Sequence, residues 1–178
     1  MTRINEFQYS GFFVEWLNET HNFDYEVVEN NEEKSEIDAY ATSKSNTFPN
    51  LNLQLVTSHG EVLKQSAMNT DSVMKGKDVI VGEVNIEEWI SDVIKKKDKK
   101  YSMESRSNLI LLIEGRIPTP SPQSIKGLDF SGYPFKGIYY VSLPVISSQE
   151  TAATKNGFVI VIKDMLTRND RKNLLGRD

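Results

Sequence analysis

The chain contains no cysteine, which removes disulfide frameworks, thiolate zinc sites and cysteine nucleophiles at one stroke. Histidine is nearly absent too, since His21 and His59 are the whole supply. A histidine-rich zinc centre or a Ser-His-Asp triad is therefore disfavoured, and a reactive site has to be built from carboxylates, amides and lysines. Glycine-rich phosphate cradles of the GxxxxGK[ST] or GxGxxG kind do not occur. No apolar run approaches the roughly 20 residues of a spanning helix, so no membrane segment is expected. Positive charge is not in excess either: the net charge of −4 and pI near 5.3 weaken the case for an obligate nucleic-acid coat, whose affinity comes from neutralising phosphates. A local basic patch would count for more than that total. The opening MTRINEFQYS has polar and acidic groups where a secretory leader is basic and then apolar, which predicts a cytoplasmic protein.

What is present is an ordinary globular composition, 38% hydrophobic and 26% charged over 178 residues, enough for one core and one domain spanning 1–178. Tyr9, Phe12, Phe13, Trp16 and Leu17 recur at helical steps and predict an amphipathic helix over 6–18. Strands are predicted at 23–28, 35–41 and 51–57. In the last of these Leu51, Leu53, Leu55 and Thr57 face one way and Asn52, Gln54 and Val56 the other. Residues 58–82 lack a sustained period and read as an insertion with one short helix at 61–68. A second amphipathic helix is predicted at 85–97, with Asn85 and Glu88 as a capping box and a lysine-rich carboxyl end. Its apolar face carries Trp89, Ile90, Val93, Ile94 and the later Tyr101. NLILLIE at 108–114 reads as a strand buried on both faces. Residues 116–134, which include Pro118, Pro120 and Pro122, are predicted to be loop with a helical turn near 124–128. Gly137–Leu143 and Phe158–Lys163 are further strands, and a weak helix or frayed tail follows Asp164.

The order helix, three strands, helix, buried strand resembles the core of the PD-(D/E)xK phosphodiesterase superfamily, which includes restriction enzymes, repair nucleases and mobile-element proteins. The resemblance covers about 6–114 and implies an α/β fold with a restriction-endonuclease-like αβββαβ core, a mixed sheet flanked by helices. Residues 115–178 would be an extension adding strands. In that family two acids on neighbouring strands hold Mg²⁺, and a lysine two positions after the second acid helps position water. Asp38 matches the first acid and Gln54 stands where the second would be, as metal ligands. Val56 stands at the lysine position, where it can do none of the lysine's work. Glu15 on the first helix matches an additional ligand of some members.

A migrated lysine is sought first in the run Lys95, Lys96, Lys97, Lys99 and Lys100, where Lys97 and Lys100 lie nearest the apolar face. Lys44 and Lys64 flank the third strand as other substitutes, and Glu26 is a weaker acid candidate. Each has a plainer reading: a strand-edge or turn-capping acid for Asp38, a solvent-facing or hydrogen-bonding amide for Gln54, a solvated helix face for Glu15 and the lysines. His59 reads better as a turn residue, and Trp16 and Trp89 as core. The resemblance implies Mg²⁺-dependent processing of DNA, in a bacterial or mobile-element setting, with weak or lost cleavage. The alternative is a non-catalytic binding or assembly module of the same fold, acting through a protein partner.

Overall fold

The computed structural model describes residues 2–32, 35–56, 86–115, 125, 128–144 and 157–166. Within them the chain runs α1 (Thr2–His21), β1 (Tyr25–Glu29), β2 (Ala39–Ser43), β3 (Leu51–Val56), α2 (Ile86–Lys100), α3 (Met103–Ser107), β4 (Leu109–Glu114), β5 (Gly137–Ser142) and β6 (Phe158–Lys163). The strands form one six-stranded mixed sheet in the order β1-β2-β3-β4-β5-β6. β1, β2 and β3 are antiparallel neighbours, β4 lies parallel to β3, β5 parallel to β4, and β6 antiparallel to β5. β1, β2 and β3 follow one another through links of fewer than ten residues, whereas the parallel step from β3 to β4 requires a crossover that includes α2.

The period-two pattern of the strands separates two cores. On one face Leu51, Leu53, Leu55, Ile110, Leu112, Tyr139 and Val141 pack against Tyr9, Phe13, Val14 and Leu17 of α1. There the Phe13 ring lies 4.7 Å from that of Tyr139 and 5.9 Å from that of Trp16. On the other face Val56, Leu109, Leu111, Ile113, Ile138 and Tyr140 pack against Ile90 and Ile94 of α2. Residues 109–113 of β4 are all buried because they feed the two cores alternately, as their uninterrupted apolar run predicts, and the terminal Glu114 is buried beside them.

Polar side chains fix the ends of the elements. α1 stops at Asn22, which takes a left-handed φ of 55°, a conformation that asparagine tolerates better than most residues. One turn earlier, Asn18 donates through Nδ2 to the Tyr25 carbonyl and accepts the Tyr25 N–H through Oδ1, each at 2.9 Å.

The largest departure from expectation in this half is β2, predicted at 35–41 and found at Ala39–Ser43. Ser35 Oγ accepts from the Ile37 N–H at 3.1 Å and Asn30 Nδ2 donates to the Ile37 carbonyl at 2.8 Å, so local side-chain bonds claim the backbone that would have joined the ladder. β1 begins at Tyr25 rather than at residue 23, and α2 runs on to Lys100 rather than ending at 97. The helix predicted at 61–68, the capping residue Asn85, most of the turn at 124–128, His59 and Lys64 lie outside the described residues.

Candidate functional site

The Ala39↔Leu53 pairing, carried one step further along antiparallel strands, sets Asp38 opposite Gln54 on the α2 face of the sheet. Asp38 sits just before β2 but is still tied to β3 through its N–H, which donates to the Leu53 carbonyl at 2.9 Å. Its Oδ2 accepts from Gln54 Nε2 at 2.5 Å and from the Leu55 N–H at 2.6 Å. Gln54 does not face solvent; it is buried, with Nε2 also donating to the Leu55 carbonyl at 3.1 Å.

α2 brings the next two groups. Ile90 and Ile94 are fully buried, and steps of three and four residues along the same face lead to Lys97 and then Tyr101. Tyr101 follows the last helical residue but prolongs the turn, its N–H donating to the Lys97 carbonyl at 3.3 Å. Arg106 of α3 pairs with Asp98 and also donates to its carbonyl at 2.8 Å, so the corner that carries Tyr101 is braced. The buried Tyr101 hydroxyl donates to Gln54 Oε1 at 3.1 Å and lies 3.2 Å from Lys97 Nζ, which donates to it. The ammonium groups of Lys97 and Lys100 stand 5.5 and 5.1 Å from the centre of the Tyr101 ring, within cation–π range.

The electrostatics follow from enclosure. Burial pushes the Asp38 carboxyl up to about 6; the Leu55 N–H and the Lys97 and Lys100 cations pull the other way, and Glu6 adds to the rise. Burial lowers Lys97, helped by Lys100 and opposed by Asp38. Tyr101 is raised to about 12 by burial and by the charges of Asp38 and Glu36, so near neutrality it keeps its proton and acts as a hydrogen-bond donor. Asp38 is the group in this cluster placed to exchange a proton close to neutral pH.

Three of the residues singled out in the sequence, Asp38, Gln54 and Lys97, are thus brought together, and Glu15 is not. Glu15 is exposed on α1, the helix that covers the opposite face of the sheet. The α1 acid whose charge reaches Asp38 is Glu6. Val56 is buried in the α2-side core beside Ile90 and Ile94. Glu26 is exposed on β1 and Lys44 is exposed beyond β2. Sequence reasoning missed Tyr101 as a polar participant, having placed it in the apolar stripe; the signal was its spacing of four from Lys97, which sets both on one helical face. Glu6 carried no such signal.

As a cradle for Mg²⁺ the cluster offers one carboxylate, the Gln54 amide oxygen and the main-chain oxygen of Leu55. Among the described residues no group of three or more histidines or acids gathers for a metal. Hard cations take oxygen donors, and here the Gln54 amide turns its nitrogen, not its oxygen, toward Asp38 and the Leu55 carbonyl, so the three oxygens would converge on a cation only with that amide turned over. Among the described residues no helix is long and apolar enough to cross a membrane. No known protein family, curated protein or solved structure matches this chain.

Proposed function

We propose that the chain is a nuclease-like domain of the PD-(D/E)xK type, in which the Mg²⁺ centre persists in weakened form and intrinsic cleavage of DNA is slight or lost. The observation that carries this reading is that Lys97, from the crossover helix, is linked through Tyr101 to Gln54 and Asp38 and acts on Asp38 by its charge. In this reading Lys97 supplies the positive charge that Val56, at the lysine position of the resemblance, cannot. The chain order supports the same reading: a helix, three antiparallel strands, a crossover helix on the far face, then a parallel strand.

In this reading Asp38 and Gln54, with the Leu55 carbonyl, hold the cation, which when bound draws charge from a phosphate and its attacking water. Lys97 contributes positive charge beside the phosphate. The lysines at 95, 96, 99 and 100 extend that charge along the end of α2, where a nucleic-acid backbone would pass. The amide in place of a second carboxylate lowers the charge that draws Mg²⁺ in, and so the turnover expected is small.

The test is incubation of linear and circular DNA with the full chain in Mg²⁺ or Mn²⁺, beside Asp38→Ala and Lys97→Ala, with a gel-shift assay in parallel. Weak nicking that disappears in both variants, or binding weakened in Lys97→Ala with no cutting, supports the reading. Robust cleavage indifferent to both substitutions places the chemistry elsewhere. Absence of both binding and cleavage favours the second reading, a non-catalytic assembly module acting through a protein partner. One observation already points that way: the polar atoms of Gln54 are engaged within the fold.

A further inference from the structure

The bonds from Lys97 to Asp38 form a chain with one permitted direction. An ammonium group only donates, so Lys97 donates to the Tyr101 oxygen at 3.2 Å and the phenolic hydrogen must point elsewhere. The acceptor 3.1 Å away is Gln54 Oε1. With its oxygen held there, the amide turns Nε2 toward Asp38 Oδ2 at 2.5 Å and the Leu55 carbonyl at 3.1 Å. A carboxylate only accepts, so the far end of the chain agrees with the near end. Asp38 Oδ2 and the Leu55 carbonyl therefore converge on an N–H₂ group, and that group sits where a cation shared by these oxygens would have to be.

We infer that Tyr101 is a positioning residue: directed by Lys97, it holds Gln54 with its nitrogen toward Asp38, and a divalent cation binds only when that amide turns over. The inference rests on the metal site proposed above and adds how the site is kept shut. Turning the amide over without a cation would crowd three oxygens together and set an N–H against the phenolic hydrogen. With a cation present the three oxygens become its ligands, and the Tyr101 bond is what must be given up. Cation affinity is thus set against one buried hydrogen bond remote from the cation.

Two measurements on the full chain decide this. In the first, free Mn²⁺ is followed by electron paramagnetic resonance during titration of the wild type, Tyr101→Phe, Gln54→Glu, Tyr101→Phe/Gln54→Glu and Asp38→Ala. Removing the hydroxyl should tighten Mn²⁺ binding about five- to tenfold, the worth of one buried neutral hydrogen bond. The same change in the Gln54→Glu background should give no gain, because a carboxylate has no nitrogen to turn away. If Gln54→Glu binds Mn²⁺ while Tyr101→Phe binds no more tightly than wild type, the latch is wrong and the metal site stands. If no variant binds, the metal site fails and the latch with it.

The second measurement needs no variant: the Gln54 side-chain amide protons are followed by ¹H–¹⁵N NMR as Mg²⁺ is added. The bond to Asp38 should shift one of them downfield of a free side-chain amide, and saturating Mg²⁺ should move it back upfield. A proton that stays downfield at saturation overturns the inference, and a merely structural role for Tyr101 would leave it unmoved.

Discussion

A hydrogen-bonded aspartate lies beside each end of β2, Asp38 just before the strand and Asp24 from the link before β1, and the two behave in opposite ways. At the carboxyl end of β2 Asp24 accepts from the Ser43 hydroxyl and the Ser45 N–H, both at 2.7 Å. Before its amino end Asp38 likewise accepts from one side-chain and one main-chain donor, Gln54 and Leu55. Asp24 is nonetheless held below its ordinary range by the bonds from Ser45 and Ser43, whereas burial carries Asp38 up to about 6. The number of donors therefore does not decide the charge of a carboxylate. Asp24 is half-exposed, and desolvation there is outweighed by the bonds from Ser45 and Ser43, while Asp38 is enclosed between β3 and α2, where desolvation outweighs its donors and its neighbouring lysines.

The comparison breaks most visibly on removal of the side chains. Asp38→Ala leaves the Gln54 amide and the Leu55 N–H without their acceptor, and urea denaturation at pH 7.5 should show a loss of about 2–3 kcal/mol. Asp38→Asn, which keeps an oxygen for both donors, should lose much less, and Asp24→Ala should be the mildest of the three. A result in which Asp24→Ala is the more damaging would invert the account of the two ends.

A smaller effect is expected from pH. The folded carboxyl of Asp38 titrates near 6 and its ordinary value is 3.8, so between those values the folded chain binds the extra proton. Its contribution to stability is complete below about pH 4 and is lost as pH rises through 6. Relative to Asp38→Asn, the wild type should lose about 1–2 kcal/mol across that window, after allowance for the partial exposure of the group. A difference that grows with pH in the other direction would mean that the donors, not burial, dominate at Asp38.

Two finer shifts sharpen the contrast. Lys97→Met removes a cation that lowers Asp38, and its titration midpoint, read from carboxyl ¹³C shifts, should move upward. Ser43→Ala removes a donor to Asp24, and that midpoint should rise toward 3.8, by less. Movement of Asp38 downward in the first variant would show that Lys97 acts on it by some route other than its charge.

Much of this arrangement is legible in the sequence because it rests on periodicity. The spacing of Tyr9, Phe13 and Leu17, and the run at 109–113, depend on a local repeat that the cores then use. Asp38 and Gln54 could be paired because antiparallel strands joined by a short link bring residues of matching parity face to face. Lys97 could be chosen among its neighbours because it extends the Ile90–Ile94 face. What periodicity does not carry is competition for backbone groups, and so the start of β2 was misplaced: the claims of Ser35 and Asn30 on Ile37 depend on loop geometry. The polarity of Tyr101 was hidden for a related reason. A tyrosine in an apolar stripe reads as packing, and its hydroxyl acquires a role only when β3 supplies Gln54 from 47 residues away.

The grip of Asn18 on Tyr25 bears on how this chain meets other chains. β1 is an edge strand, and the Tyr25 N–H and carbonyl point outward to the Asn18 amide rather than to β2. A primary amide presents the same donor and acceptor pair as a peptide bond, so Asn18 acts as a single rung of a neighbouring strand supplied from within the chain. An incoming strand finds that position taken, with Glu26 and Glu29 beside the rungs that remain, both exposed. Such an edge is a poor template for unwanted strand addition, and it keeps α1 and β1 in register while doing so.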